Sequence, residues 1–113
     1  VRTGRITLER MVELVSSEPA RFFGIGRRKG RLEPGFDADF CVLDPDEAWK
    51  VDPATLHNLN RYSPFEGRPF TGRVVATVVR GQTVFERRAD GTETLRPPGT
   101  GRFLKREERF PTG

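Results

Sequence analysis

His57 and Cys41 are the single histidine and the single cysteine of the 113 residues. A tight transition-metal centre needs several imidazole or thiolate donors in close array, and one histidine among scattered carboxylates does not supply them. One cysteine also excludes an internal disulfide and a CxxC metal knuckle. His57 is therefore expected to be a hydrogen-bonded structural histidine. Cys41, in the apolar run Phe40-Cys41-Val42-Leu43, is expected to be a small buried core residue. Asp37 and Asp39 are two apart, which on an extended strand places both carboxylates on one face. Such a pair could move a proton or hold a cation. The simpler expectation is that aspartates at the start of a strand cap the turn through backbone N–H groups. Gly24-Ile25-Gly26-Arg27-Arg28-Lys29-Gly30 is glycine-rich, but it carries three residues between its second and third glycines and follows a helix. That context excludes a dinucleotide loop. No Walker lysine motif occurs, and no Gly-x-Ser-x-Gly elbow exists to support a serine triad through His57. The residues thus nominate no catalytic, cofactor-binding or metal-binding position.

The elements that would position these residues follow from periodicity. Thr7 is a suitable N-cap, and Leu8, Met11, Val12 and Val15 fall at i, i+3, i+4 and i+7, one apolar stripe of a helix. Ser16-Ser17-Glu18-Pro19 restarts a short helix through Phe22 and Phe23, with Gly24 as its C-terminal stop. Phe22 and Phe23 are expected to pack against the next layer. Residues 27–37 form a charged loop with a Pro34-Gly35 turn. Residues 39–43 read as a buried strand stopped by Pro45, and residues 49–51 as another. Asp52-Pro53 opens a short helix through Leu56. Residues 58–72 are expected to be an irregular loop pinned by Tyr62, Phe65 and Phe70. Residues 73–86 give the strongest β signal: a β-branched strand, apolar on both faces and hence expected to be buried on both sides, turns at Arg80-Gly81 and returns through Phe85. Asp90-Gly91 marks a further turn. Pro97-Pro98-Gly99 ends regular structure, leaving Phe103, Leu104 and Phe110 in a charged tail suited to docking.

The composition points to one domain or a piece of one. Only 35% of the residues are apolar, 32% are charged and nine are proline, so the core is expected to be thin and to need surface beyond this chain. The formal net charge of +4 gathers at residues 27–31, at Arg87-Arg88 and along residues 102–109. Such runs are more often solvated faces than phosphate-binding patches. No apolar stretch approaches the roughly 20 residues of a membrane span, and no leader pattern is present, so a cytoplasmic setting is the default expectation.

A series of motifs carries a family resemblance. Val1-Arg2-Thr3-Gly4-Arg5-Ile6, Ser17-Glu18-Pro19-Ala20-Arg21-Phe22-Phe23-Gly24, Arg28-Lys29-Gly30, Gly35-Phe36-Asp37-Ala38-Asp39-Phe40, Thr55-Leu56-His57, Tyr62-Ser63-Pro64-Phe65-Glu66-Gly67, Val79-Arg80-Gly81 and Gly101-Arg102-Phe103-Leu104 occur in this order. Together they resemble the C-terminal region of cyclic amidohydrolases, closest to D-hydantoinase and dihydropyrimidinase. The portion around Lys29-Gly30 and Asp37-Ala38-Asp39 is also shared with dihydroorotase and allantoinase.

The resemblance implies a mainly β chain with N-terminal helices. Residues 1–25 would be the terminal helices of a TIM-like barrel, 26–95 part of a small β-sandwich completed by the other chain end, and 96–113 an extended tail. It implies a parent that hydrolyses a cyclic amide C–N bond with two divalent metal ions, zinc in most such enzymes. Their ligands all precede the matched region, so none is carried onto this chain. It further implies the missing N-terminal part of the same chain as a partner. A homotetramer is implied as well, with tail contacts through Phe103, Leu104 and Phe110. The alternative reading is a free-standing β-rich binding or scaffolding module, one version of which would hold nucleic acid on its basic patches.

Overall fold

In the computed structural model, which describes residues 1–107, the chain begins with helix α1 (Leu8–Val15). The Thr7 side chain accepts a hydrogen bond from the Arg10 amide, and Glu9 lies at the positive end of the helix dipole. Helix α2 (Ser17–Phe22) follows directly. The Ser16 side chain makes no capping bond, contrary to expectation, because Ser16 is held in the tight junction between the helices, where its amide bonds back to the Glu13 carbonyl. Gly24, at φ 77°, ends α2 as expected, and the Ile25 amide closes the last turn on the Ala20 carbonyl.

Four antiparallel strands form one sheet in the order β1-β2-β3-β4: β1 (Phe40–Lys50), β2 (Pro69–Val79), β3 (Gln82–Arg87) and β4 (Glu93–Leu95). Cys41 faces Thr77 across the β1/β2 ladder, and Trp49 faces Phe70. The two strands expected on either side of Pro45 are therefore one strand with a register shift between Asp44 and Ala48. Proline is tolerated there because β1 lies at the sheet edge, where a missing N–H need not break a ladder. The β2/β3 hairpin turns at Arg80 and Gly81, both at positive φ (46° and 75°), the backbone of a tight two-residue turn matched to strand twist. Strand β4 escaped the sequence reading because three residues carry too little periodicity. It follows the Asp90-Gly91 turn, where the Asp90 carboxylate accepts from the Thr92 amide and hydroxyl.

The loop between β1 and β2 is partly as expected. Asp52 caps the short 3-10 helix Pro53–Thr55 by accepting from the Ala54 amide. Phe70 belongs to β2 and stacks on Trp49 with ring centroids 5.6 Å apart, while Phe65 meets Phe70 edge-on at 6.3 Å. The Trp49 indole N–H donates to the Gly72 carbonyl at 2.8 Å, and the Arg73 guanidinium lies over its ring. Tyr62 is exposed and pins nothing.

The interior is small. Ala20 and Val51 are the buried apolar residues among those described. Strand β2 is at most half-buried along its length, because no second layer lies on the sheet. Cys41 is exposed for the same reason: it sits on an edge strand whose face nothing covers. Phe22 and Phe23 are exposed and pack on each other edge-to-face at 5.1 Å instead of against a further layer. The radius of gyration, 16.2 Å, exceeds the roughly 13 Å of a compact domain of this length.

One close approach does bind the helical segment together. Gly30, at φ 93°, packs so tightly on α2 that a Cβ there would lie 2.7 Å from the Ala20 Cβ and 2.9 Å from the Ser16 carbonyl oxygen. Gly35 has the same φ of 93° with open space around it. Gly30→Ala is thus expected to lower stability by about 1–3 kcal/mol through overpacking added to backbone strain. Gly35→Ala should lose only the left-handed term, about 1 kcal/mol. Urea midpoints of the two variants measure the difference, and equal losses would show that the contact with Ala20 carries no weight.

Candidate functional site

The sequence candidates separate into two places. Asp37 and Asp39 come together, but around a lysine. The Lys29 ammonium lies 2.8 Å from an Asp37 carboxylate oxygen and also bonds Asp39. Arg28 adds a second cation to Asp37 at 3.3 Å. The other Asp39 oxygen accepts from the Arg80 backbone amide at 2.8 Å, in the β2/β3 turn. Each backbone step in this region is held as well: the Asp37 amide donates to the Arg28 carbonyl and the Gly81 amide to the Ala38 carbonyl. The expectation that these aspartates cap backbone is met only by Asp39, and its partner is 41 residues away rather than in its own turn. Lys29 escaped notice because a run of Arg27-Arg28-Lys29 reads as a solvated face. The signal that could have found it is its pairing with two half-buried carboxylates eight and ten residues on.

The electrostatics follow the geometry. The Lys29 hydrogen bond holds the Asp37 carboxyl below its usual range, against a smaller opposing effect of burial. Burial alone would raise Asp39, but the hydrogen bonds from Lys29 and from the Arg80 amide outweigh it, and its carboxyl also titrates low. For Lys29, burial pulls the ammonium down, and its bonds to Asp37 and Asp39 reverse that and leave it raised. All three groups are therefore charged at neutral pH, and the cluster is a closed ion network rather than an acid/base pair awaiting a substrate.

His57 lies elsewhere. It follows the 3-10 helix and lines an open cleft of about 850 Å³ with Glu47, Arg61, Arg73, Arg87 and Glu93 among its neighbours. It is exposed and makes no hydrogen bond among the described residues, so the structural role expected for it is not seen. Two carboxylates of this cleft are engaged with arginines, Glu47 with Arg73 at 3.5 Å and Glu93 with Arg87, and the third, Asp44, accepts from the Asp46 amide. No group of three or more His, Cys, Asp or Glu among the described residues could hold a metal ion. The donor set present here, one exposed histidine, one exposed thiol and carboxylates already paired with cations, does not fit a metal centre.

The basic runs are occupied in part: Arg27 pairs with Glu107, Arg28 with Asp37, Arg31 with Glu33 and Arg87 with Glu93. The tail does not leave the chain among the described residues. The Arg80 guanidinium donates to the Thr100 carbonyl, and the Glu107 amide donates to the Gly24 carbonyl at 2.8 Å. Leu104 is half-buried, Phe103 is 90% exposed, and Phe110 lies outside the described residues. No helix among the described residues is long and apolar enough to cross a membrane.

Comparison with known proteins places these features in a lineage. The profile of the Amidohydrolase family matches residues 2–85. The D-phenylhydantoinase of Escherichia coli O1:K1 / APEC is 46% identical over 111 residues, which is 98% of this chain and 23% of that protein. Among solved structures, L-hydantoinase (dihydropyrimidinase) from Arthrobacter aurescens superposes with a TM-score of 0.72 at 48% identity, over 75% of this chain and 19% of that one. D-hydantoinase from Bacillus sp. AR9 gives a TM-score of 0.77 at 35% identity, over 93% of this chain and 22% of that one. The chain thus spans about a quarter of the length of the relatives it matches.

The low-titrating Asp39 makes a pH-resolved prediction. A carboxyl whose pKa is depressed on folding contributes stability above its unfolded value near 3.9, and loses it as pH falls through the folded value. Asp39→Asn keeps an oxygen for the Arg80 amide and removes the charge. The variant should be less stable than the parent at pH 7, and the gap should shrink as the solution is acidified. Urea midpoints across that range test this, and a pH-independent gap would mean that the charge of Asp39 contributes nothing.

Proposed function

The chain belongs to the amidohydrolase family, and from that premise we propose that it is the C-terminal portion of a metal-dependent cyclic amidohydrolase of the hydantoinase and dihydropyrimidinase type. The reaction is hydrolysis of a cyclic amide C–N bond. The observation that carries this reading is identity of 46% sustained over 98% of the chain with a D-phenylhydantoinase. The domain division that goes with it assigns residues 1–25 to the terminal helices of a barrel, 26–95 to part of a small β-sandwich and 96–113 to the tail. The exposed apolar side chains of Phe40, Val42, Leu43, Phe70 and Val74 support that division, because they are what a sheet shows when its covering layer belongs to other parts of the polypeptide.

This chain's contribution to the reaction is architectural. Its described residues offer no metal-binding set, so the two divalent ions of the reading, zinc by family resemblance, belong with ligands outside them. No proton transfer or nucleophile is assigned to His57, Asp37 or Asp39: the first stands alone in an open cleft and the other two are bound to Lys29. The 113-residue chain alone is expected to leave a 5-substituted hydantoin intact. A longer polypeptide that continues this chain toward its N-terminus is expected to open the ring and to lose that activity on chelation. Ring opening followed at the amide absorbance measures both. Turnover by the 113 residues alone, or chelator-resistant turnover by the longer protein, would refute the reading.

The same reading proposes a homo-oligomer, with the tail contributing to contacts between subunits. Phe103 is the described tail residue most available for this, since the backbone on either side of it is tied to Arg80 and Gly24 while its ring stands in solvent. In the longer protein, Phe103→Ser should shift the assembly toward smaller species on dilution. A sedimentation profile indistinguishable from that of the parent would remove Phe103 from the interface.

A further inference from the structure

The backbones of the helices and the sheet stay apart. No residue of α1 or α2 comes within 8 Å, Cα to Cα, of a strand residue. Leu8 and Met11 of α1 share an open cleft with Leu43 and Phe70, and the direct bonds between the segments are polar and local. Arg2 reaches Thr71 with an exposed guanidinium bond. The Glu107 amide and carboxylate reach Gly24 and Arg27. A third link is the Lys29 network.

Two features set the Lys29 network apart from the other links. It is screened from solvent: the side chains of Lys29, Asp37 and Asp39 are 22%, 20% and 29% exposed, whereas the Arg27 side chain at the tail contact is 84% exposed. It also reaches both segments through short connections. Gly30 next to Lys29 is packed against Ala20 and Ser16 of the helical segment. Asp39 next to β1 is bonded to the Arg80 amide in the β2/β3 turn, and the Ala38 carbonyl holds the Gly81 amide beside it. A displacement of the helices must move Lys29, and a displacement of the sheet must move Asp39.

We propose that Lys29, held between Asp37 and Asp39, is a latch that fixes the orientation of the helical segment relative to the sheet. The role is one of positioning: Lys29 acts through the two carboxylates and the Arg80 amide and touches no reacting group. The charged groups facing the latch are Arg28 on Asp37, and Arg21, Arg27, Arg31, Glu18 and Glu107, which line the adjoining cleft with Lys29. None of them replaces the bridge, because Arg28 bonds only Asp37 and the others pair elsewhere.

The test is the relative orientation of the two segments in the 113-residue chain, read from residual dipolar couplings of backbone amides. In the parent, couplings from α1, α2 and the four strands should fit one alignment tensor. In Lys29→Met they should need two, with the couplings inside the sheet still mutually consistent and the Arg80 amide exchanging faster with solvent. Lys29→Arg, which keeps the cation, should restore much of the single-tensor fit. A single tensor in Lys29→Met would overturn the latch, as would a parent that already needs two. Collapse of amide dispersion throughout the sheet in Lys29→Met would also overturn it, since that would make Lys29 a general stabiliser. The readout involves no hydrolytic activity, so it stands or falls apart from the assignment to a cyclic amidohydrolase.

Discussion

A single antiparallel sheet is stable when one of its faces is removed from water, and here no layer of the described chain covers either face. Burial of the apolar face has to offset roughly 1–2 kcal/mol of backbone entropy for each ordered residue. With Ala20 and Val51 as the buried apolar residues, that term is small. The other features of the structure follow from this shortage. The ladders carry the sheet, the aromatic stack of Trp49, Phe70 and Phe65 supplies a local substitute for a core, and the joints between segments are made by ion pairs and backbone bonds. Charged joints of this kind hold geometry through direction more than through energy, since exposed pairs contribute little and screened ones must first recover their desolvation.

The Trp49 region shows how the substitute core works. The indole stacks on Phe70, its N–H is satisfied by the Gly72 carbonyl, and the Arg73 guanidinium lies over its ring at 4.8 Å. The same guanidinium reaches Glu47, which lies within the irregular stretch of β1 between Asp44 and Ala48. The irregularity of β1 is thus compensated by side-chain contacts from the neighbouring strand, and an edge strand interrupted by Pro45 stays paired with β2 on both sides of the break, with its register shifted.

Much of this was legible in the sequence, and the failures share a cause. The Thr7 cap, the helical span of α1, the Gly24 stop and the Arg80-Gly81 hairpin are local signals, and each appears as expected, whereas the apolar stripe of α1, expected to be core, stays exposed at Leu8, Val12 and Val15. The readings that failed depended on what surrounds a residue. Cys41 and the faces of β2 look like core because apolar, β-branched runs are usually covered, and no composition rule says that the cover is absent. Phe70 looked like a loop anchor because Pro69 and Gly72 flank it, although proline at the first position of a strand and glycine beside an indole are both compatible with β structure. Lys29 was hidden by its neighbours: in a basic run, no rule of spacing singles out the one cation that folds inward.

The motif around Lys29-Gly30 and Asp37-Ala38-Asp39 illustrates the difference between a family signature and a reactive site. Its residue types, a lysine and two aspartates, are those that catalyse proton transfer when their pKa values are driven toward neutrality. Here the shifts run the other way, with both carboxyls lowered and the ammonium raised, because each group is the other's counter-ion. A group held fully charged through neutral pH is poor at exchanging protons and good at keeping a fixed position. Gly30 is needed beside Lys29 because a side chain there would strike Ala20, and Asp39 has to be an acid because it serves an ammonium and a backbone amide with its two oxygens. Geometry accounts for these three residues without any substrate.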